Sequence, residues 1–244
     1  MESDHGVARR VLVTGAASGL CAGVAVRLAS AGFSHVAISD YRSSPQPVLD
    51  RIRACGASAS SQTIDFYDPA EDVARRLEAY VEASGPFDTL VHGVGPLRIA
   101  RFARTGVDDY RAMFDGNVRS AILAMQAVLP AMRSRSFGRI VLFGMHGSGQ
   151  TLPMPAFGLH LAAKSALVAL ARTIALEEAT SGITVNVIEP GDIRDKALSR
   201  EEARNSGLGS FEDIADAVRF FVAAESGFVT GSVLAVDGGA LPSR

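Results

Sequence analysis

Seven short runs rich in Val, Ile and Leu alternate with longer amphipathic stretches along almost the whole chain, and this alternation restricts the fold more than any other feature. The pattern predicts strands over residues 10–14, 35–39, 59–64, 87–92, 139–143, 183–188 and 233–236. Between them it predicts helices over 18–31, 46–55, 69–83, 107–132, 156–180 and 211–224. A strand joined to the next through a helix returns parallel to it, and a parallel sheet needs cover on both faces. The fold expected is α/β, a doubly wound parallel sheet of about seven strands with helices on both faces. No repeat, low-complexity tract or Pro-rich linker divides the 244 residues. They are read as one domain, 1–244, with residues 1–9 as an N-terminal tail.

Charge narrows the partners. Lysine and arginine number 24 against 26 acidic residues, a net charge of −2. A chain that neutralises a phosphate backbone carries a basic excess, so no nucleic acid partner is expected. Cys21 and Cys55 make no disulfide framework and no CxxC pair, which fits a reducing cytosol; no metal site is expected. Residues 1–10 hold Glu2, Asp4, Arg9 and Arg10 and no apolar centre, unlike a signal peptide. No uncharged apolar run approaches the ~20 residues of a membrane span. The expectation is a cytoplasmic protein with no membrane partner.

The first strand runs straight into Thr14-Gly15-Ala16-Ala17-Ser18-Gly19-Leu20-Cys21 and then into a helix. Small residues at such a turn let the backbone approach a pyrophosphate, whose charge is stabilised by the helix N-terminus. Gly15, Ser18, Gly19 and Leu20 are therefore candidate cofactor contacts in a Rossmann-like fold. Other segments add to this turn: Leu90-Val91-His92-Gly93-Val94-Gly95, Asn117 in the fourth helix, GRIV at 138–141, Pro190-Gly191, and TGSVLAVDGG at 230–239. Together, in this order, they resemble the TGxxxGxG loop, LVNNAG strand end, structural asparagine, PG turn and C-terminal strand of the short-chain dehydrogenase/reductase superfamily. The resemblance covers roughly residues 10–240.

It implies a nicotinamide cofactor and a small-molecule alcohol or carbonyl substrate. Asp40 ends the second strand, where a carboxylate accepts ribose hydroxyls and repels a 2′-phosphate, favouring NAD. Arg42 keeps NADP open. By resemblance Asp65 and Phe66 flank the adenine, while Gly93, Gly95, Pro190, Gly191 and Ile193 complete the cofactor contacts. Cys21 departs from the pattern, standing where the family has its third glycine.

The family's chemistry rests on Asn, Ser, Tyr and Lys, and here only part of that set remains. Asn117 and Lys164 are present, the latter in AAK on the fifth helix. One helical turn before Lys164 stands His160 instead of tyrosine, and no tyrosine lies beyond Tyr110. The serine's place falls on Met145, which has no donor; His146 and Ser148 follow as candidate substitutes. The asparagine pair of NNAG is replaced by His92-Gly93, and near Asp195 an acid replaces the threonine expected after Pro190-Gly191.

Lys164 and an oxidised nicotinamide both disfavour imidazolium, so the His160 pKa should fall, leaving a neutral base suited to taking a proton. Arg98, Arg101, Arg104 and Arg111 follow the fourth strand and suit an anionic substrate group. Outward apolar positions on the fourth and fifth helices, Ile122, Met125 and Leu170 among them, point to a homodimer or homotetramer. Three functions stay open: an oxidoreductase with His160 as proton-transfer group, a lyase or isomerase on the same fold, and a silent NAD(P)-binding scaffold.

Overall fold

The computed structural model describes residues 8–194 and 208–240. Its strands are β1 (Arg10–Thr14), β2 (His35–Asp40), β3 (Ser58–Thr63), β4 (Thr89–His92), β5 (Gly138–Phe143), β6 (Ile183–Pro190), β7 (Ile193–Arg194), β8 (Gly209–Ser210) and β9 (Val233–Val236). Seven of them form one parallel sheet in the order β3-β2-β1-β4-β5-β6-β9. The two shortest, β7 and β8, pair with each other alone. β3 reads SASSQT and stays partly exposed. A polar, short edge strand of this kind discourages pairing with another chain.

Side chains on the central strands alternate between faces, as a period of two requires. Val11 and Val13 point to one layer, built by α1 (Gly19–Ser30), α2 (Gln46–Ala54) and α7 (Phe211–Val222) through Leu28, Ile52 and Val218. Leu12 points to the other, built by α5 (Ser120–Ser134) and α6 (Gly158–Glu178) through Val128, Leu167 and Ala171. α3 (Ala70–Ser84) adds Tyr80 to that second layer. Burying each large aliphatic side chain contributes roughly 1.5–3 kcal/mol. α6 is long and apolar enough to cross a membrane by length and composition, but here it packs on the sheet with Lys164 and Glu178 buried.

Three expectations need correction. The helix expected over 107–132 is α4 (Val107–Phe114), a π-helical turn over Asp115–Arg119, and α5. Met125, expected on the outer face, is 1% exposed and packs inward with Val128 and Met132. The wide turn inserts an extra residue per turn, so a period carried straight through from α4 misplaces the residues of α5. Arg9, expected in the tail, is bound to the fold: its Nε donates to Asp88 Oδ1 at 2.7 Å and its guanidinium lies over the Phe33 and Phe137 rings. Asp195 and most of the segment after Pro190-Gly191 lie outside the described residues.

Candidate functional site

All seven strands end at one edge, and the order reverses between β1 and β4, whose neighbours lead away in opposite directions. A crevice opens outside the strand ends at such a reversal. Gly15 lies on its floor with φ +66°, a conformation that favours glycine. A Cβ there would also come within 3.1 Å of the Gly93 carbonyl carbon. Ser18 is the N-cap of α1, extended, and its side chain caps nothing. The first N–H groups of α1 are left for an anion.

Asp40 does more than face this crevice. Its Oδ2 accepts from Ala17 N–H at 3.1 Å and its Oδ1 from the Tyr41 and Arg42 N–H groups at 2.7 and 2.9 Å. It thus ties the phosphate turn to the end of β2 while bordering a cavity of about 340 Å³ with Gly15, Ser18 and Gly93. Tyr41 and Tyr67 border the same cavity, their rings edge to face at 6.5 Å. No motif in the sequence points to either tyrosine; Tyr41 directly follows the end of β2, and Tyr67 lies four residues beyond the end of β3. Arg42 donates through Nε to the Tyr41 hydroxyl and lies 4.8 Å over its ring.

Asp65 and Phe66, expected beside an adenine, stand in the turn after β3. Asp65 Oδ1 accepts from Tyr67 N–H at 2.9 Å and shapes the turn. Phe66 borders the cavity but is only 2% exposed, its ring packed with Val73 and Leu77 and edge-on to His92. It supports the wall from behind.

Beside the phosphate turn a second cavity of about 310 Å³ is lined by Leu20, Cys21, Leu97, Phe143, His160 and Lys164. α6 carries both His160 and Lys164 on the face turned inward. Lys164 Nζ donates to the Phe143 carbonyl at 2.7 Å, and burial pushes its pKa down to about 8. His160 is lowered to about 4, chiefly by burial and further by the Lys164 charge, against a hydrogen bond with the Pro96 carbonyl that favours the protonated ring. The ring is neutral at neutral pH. Its Nδ1 is buried and has no partner among the described residues.

Asn117 sits in the π-helical turn, a device common at functional sites. Its Nδ2 donates to the Pro96 and Met113 carbonyls at 3.1 and 2.9 Å, so the Pro96 oxygen serves Asn117 and His160 together. Asn117 Oδ1 is buried without a partner among the described residues. A Cβ on Gly95 would lie 2.9 Å from both Asn117 Oδ1 and Lys164 Nζ. Glycine at this position is what lets the two side chains gather there.

His92 braces this arrangement. Its Nδ1 is 2.8 Å from Thr14 Oγ1 and its Nε2 is 2.9 Å from Ser120 Oγ, which in turn donates to the Gly116 carbonyl at 2.6 Å. The chain satisfies every atom when Thr14 donates to Nδ1 and Nε2–H donates to Ser120. Burial, with a smaller effect of Lys164, lowers the His92 pKa to about 3, so the brace is uncharged.

The other candidates do not join His160. Ser148 Oγ donates to Glu189 Oε1 at 2.6 Å and is 1% exposed. Glu189 also accepts from the Gly147 and Gly149 N–H groups, so one buried carboxylate holds the whole loop and keeps Ser148 out of the serine's vacant place. His146 turns to the C-terminal side, its Nδ1 3.4 Å from Asp237 Oδ2. Gly191 packs against Asp237, where a Cβ would lie 2.7 Å from the Asp237 Cα, and its N–H donates to the Val236 carbonyl. Pro190 ends β6 beside it. Ile193 lines a separate cavity of about 450 Å³ with Gly209 and Asp237. Of the arginines, Arg98 pairs with Asp109 at 2.9 Å and Arg111 with Asp108 at 3.7 Å; Arg101 and Arg104 are exposed, with no ion pair among the described residues.

The crevice fits a dinucleotide: a glycine floor, uncapped helix N–H groups, a carboxylate at the end of β2, and a buried lysine. Comparisons with known proteins agree. A family profile described as enoyl-(acyl carrier protein) reductase matches residues 15–240. The 3-oxoacyl-[acyl-carrier-protein] reductase FabG of Escherichia coli K12 is 30% identical, over 93% of this chain and 95% of its own. Among solved structures, the acetoin dehydrogenase of Enterobacter cloacae is similar with a TM-score of 0.87 and 26% identity, covering 98% of this chain and 99% of its own. A blue fluorescent protein from a metagenomic library, in complex with NADPH, has a TM-score of 0.82 and 28% identity, covering 95% and 97%. A dinucleotide crevice on a seven-stranded parallel sheet, matched by profile, sequence and structure over nearly its whole length, makes this chain a member of the short-chain dehydrogenase/reductase superfamily, an oxidoreductase of the nicotinamide-dependent type.

Proposed function

We propose that this chain oxidises a small alcohol to its carbonyl, with His160 as the base that takes the hydroxyl proton. The observation that carries the reading is the unpartnered Nδ1 of a neutral His160 in the cavity beside Lys164. Nδ1 has no hydrogen-bond partner among the described residues, and in the tautomer with the proton on Nε2 it carries the lone pair that takes the proton. Lys164 keeps the ring from becoming cationic beforehand and is the residue to hold the ribose. A bound nicotinamide dinucleotide supplies the acceptor for the hydrogen and electron pair leaving the alcohol carbon. Ser18, Gly19 and Leu20 hold the pyrophosphate through backbone N–H groups, Gly15, whose own N–H goes to the Ser39 carbonyl, leaves room for it, and Asp40 holds the ribose.

Asp40 favours NAD over NADP, and Arg42 is already engaged by Tyr41. Carbonyl reduction is the weaker direction, because Met145 offers no donor to a carbonyl oxygen and Ser148 is occupied by Glu189. Arg101 and Arg104, beyond the cavity-lining Leu97, suit a carboxylate or phosphate on the substrate. Self-association as a dimer or tetramer, through the outward faces of α5 and α6, belongs to the same proposal.

An alcohol panel with NAD, followed by NADH absorbance, tests it. His160→Ala should lose turnover by at least about 10²-fold on the best substrate while NADH affinity holds. Turnover of the unaltered protein should fall on acidification through an ionisation near pH 4, as His160 gains its proton. Full activity in His160→Ala overturns the mechanism. The missing hydroxyl at Met145 favours a second reading, a silent nucleotide-binding subunit, and no turnover on any alcohol with NADH affinity intact would select it.

A further inference from the structure

Cys21 and Gly93 face each other where α1 leaves the phosphate turn and β4 has just ended. A Cβ on Gly93 would overlap Cys21 Sγ, and would lie 3.2 Å from Cys21 Cβ and 2.9 Å from the Thr14 carbonyl oxygen. Non-bonded carbon atoms settle at about 3.5–4.0 Å, so the thiol already fills the volume a side chain at 93 needs. Nor can the strand end retreat. Gly93 N–H is held by the Thr14 carbonyl at 3.2 Å and by Thr14 Oγ1 at 3.1 Å. On its other side the Gly93 backbone meets Gly15, the floor of the crevice.

The thiol therefore stands between α1 and the strand end that together wall the cofactor cleft. It is 5% exposed and lines the cavity of His160 and Lys164. Burial pushes its pKa up to about 12, so it is a neutral group that packs and does not attack. The two departures from the superfamily pattern at this place are complementary: bulk is absent at 93, where asparagine is expected, and present at 21, where glycine is expected.

We propose that Cys21 is a positioning residue for the cofactor, its thiol setting the gap between the first turn of α1 and the end of β4 in place of a side chain at position 93. The proposal does not depend on His160 or on any substrate. Positions 21 and 93 are then coupled, and bulk tolerated at one depends on its absence at the other.

The test is a double-mutant cycle built on Cys55→Ser, which removes the exposed thiol. NADH affinity and melting temperature without NADH are measured in the parent, Gly93→Ala, Cys21→Gly and the double variant, and the labelling rate of Cys21 by a thiol reagent in the parent and Gly93→Ala. Gly93→Ala should weaken NADH by about tenfold or more, and Cys21→Gly by less, with the double variant returning to within about threefold of Cys21→Gly. Labelling should be slow in the parent and at least about tenfold faster in Gly93→Ala, where the thiol is displaced into the cleft. NADH binding unchanged in Gly93→Ala overturns the proposal, as does a double variant no tighter than Gly93→Ala. Variants that move only the melting temperature also overturn it. If Gly93→Ala does not fold, a folded, NADH-binding double variant supports the coupling, and an unfolded one refutes it.

Discussion

Glu189 accepts hydrogen bonds from Ser148 Oγ and from the Gly147 and Gly149 N–H groups, yet it has no cationic partner among the described residues. A buried carboxylate satisfied in this way is stabilised by oriented dipoles, and removing it leaves three donors short of an acceptor. Glu189→Ala should therefore cost about 2–4 kcal/mol in urea unfolding, more than most single surface changes. No loss would mean that the loop refolds around another acceptor. Sequence spacing cannot reveal such a bond, because Ser148 and Glu189 are 41 residues apart and an acid in a strand gives no sign of facing inward. His160 and Lys164, by contrast, are legible, since four residues on a helix fix one face. Asp40 is legible as a strand-end acid but not as the acceptor of three backbone N–H groups. Asp40→Ala should consequently narrow the gap between NAD and NADP affinity and also lower the melting temperature; calorimetry and thermal unfolding read the two effects separately.

Elements are legible where periodicity decides and poorly so where backbone geometry changes without a change of pattern. The π-helical turn over Asp115–Arg119 is entered and left through helical residues, Phe114 and Ser120, so no loop in the sequence marks it. Its consequence is large: it sets Asn117 toward Gly95 and Lys164, and it re-phases α5 so that Met125 faces the sheet. Caps are a more legible device. Ser210 opens α7, its Oγ accepting from Asp213 N–H while Asp213 accepts from Ser210 N–H at 2.7 Å. That capping box holds the helix beside β8, next to the cavity of Ile193. Ser210→Ala should destabilise the protein by about 1 kcal/mol in denaturant titration, while Ser210→Gly costs only a few tenths. Equal losses in the two variants would show that the helix start is held by packing instead.

At the scale of the whole molecule, three histidines are stored in the uncharged form, and their sum sets how the fold answers to acid. Desolvation is the leading cause in each: His92 is lowered to about 3, His160 to about 4, and His35 below its usual value beside Arg10. A histidine whose folded pKa lies below its unfolded value of about 6.5 favours the native state fully above that pH. Below it the unfolded chain binds the proton first, and stability declines until the folded pKa is reached. His92 is fully buried between Thr14 and Ser120, so it alone should remove about 2–3 kcal/mol between pH 6.5 and pH 4.5, with His160 and His35 adding to the same sign. Carboxylates mostly titrate lower, which makes this window specific to the histidines. Domains of this kind hold only about 5–15 kcal/mol in all, so a loss of this size is a large share of the total. Urea unfolding at stepped pH reads the slope directly, and His92→Asn, which does not titrate, should lose one proton's share of it. Stability that stays level from pH 6.5 to pH 4.5 would mean that the buried imidazoles gain their protons without opening the fold, against the burial seen at His92.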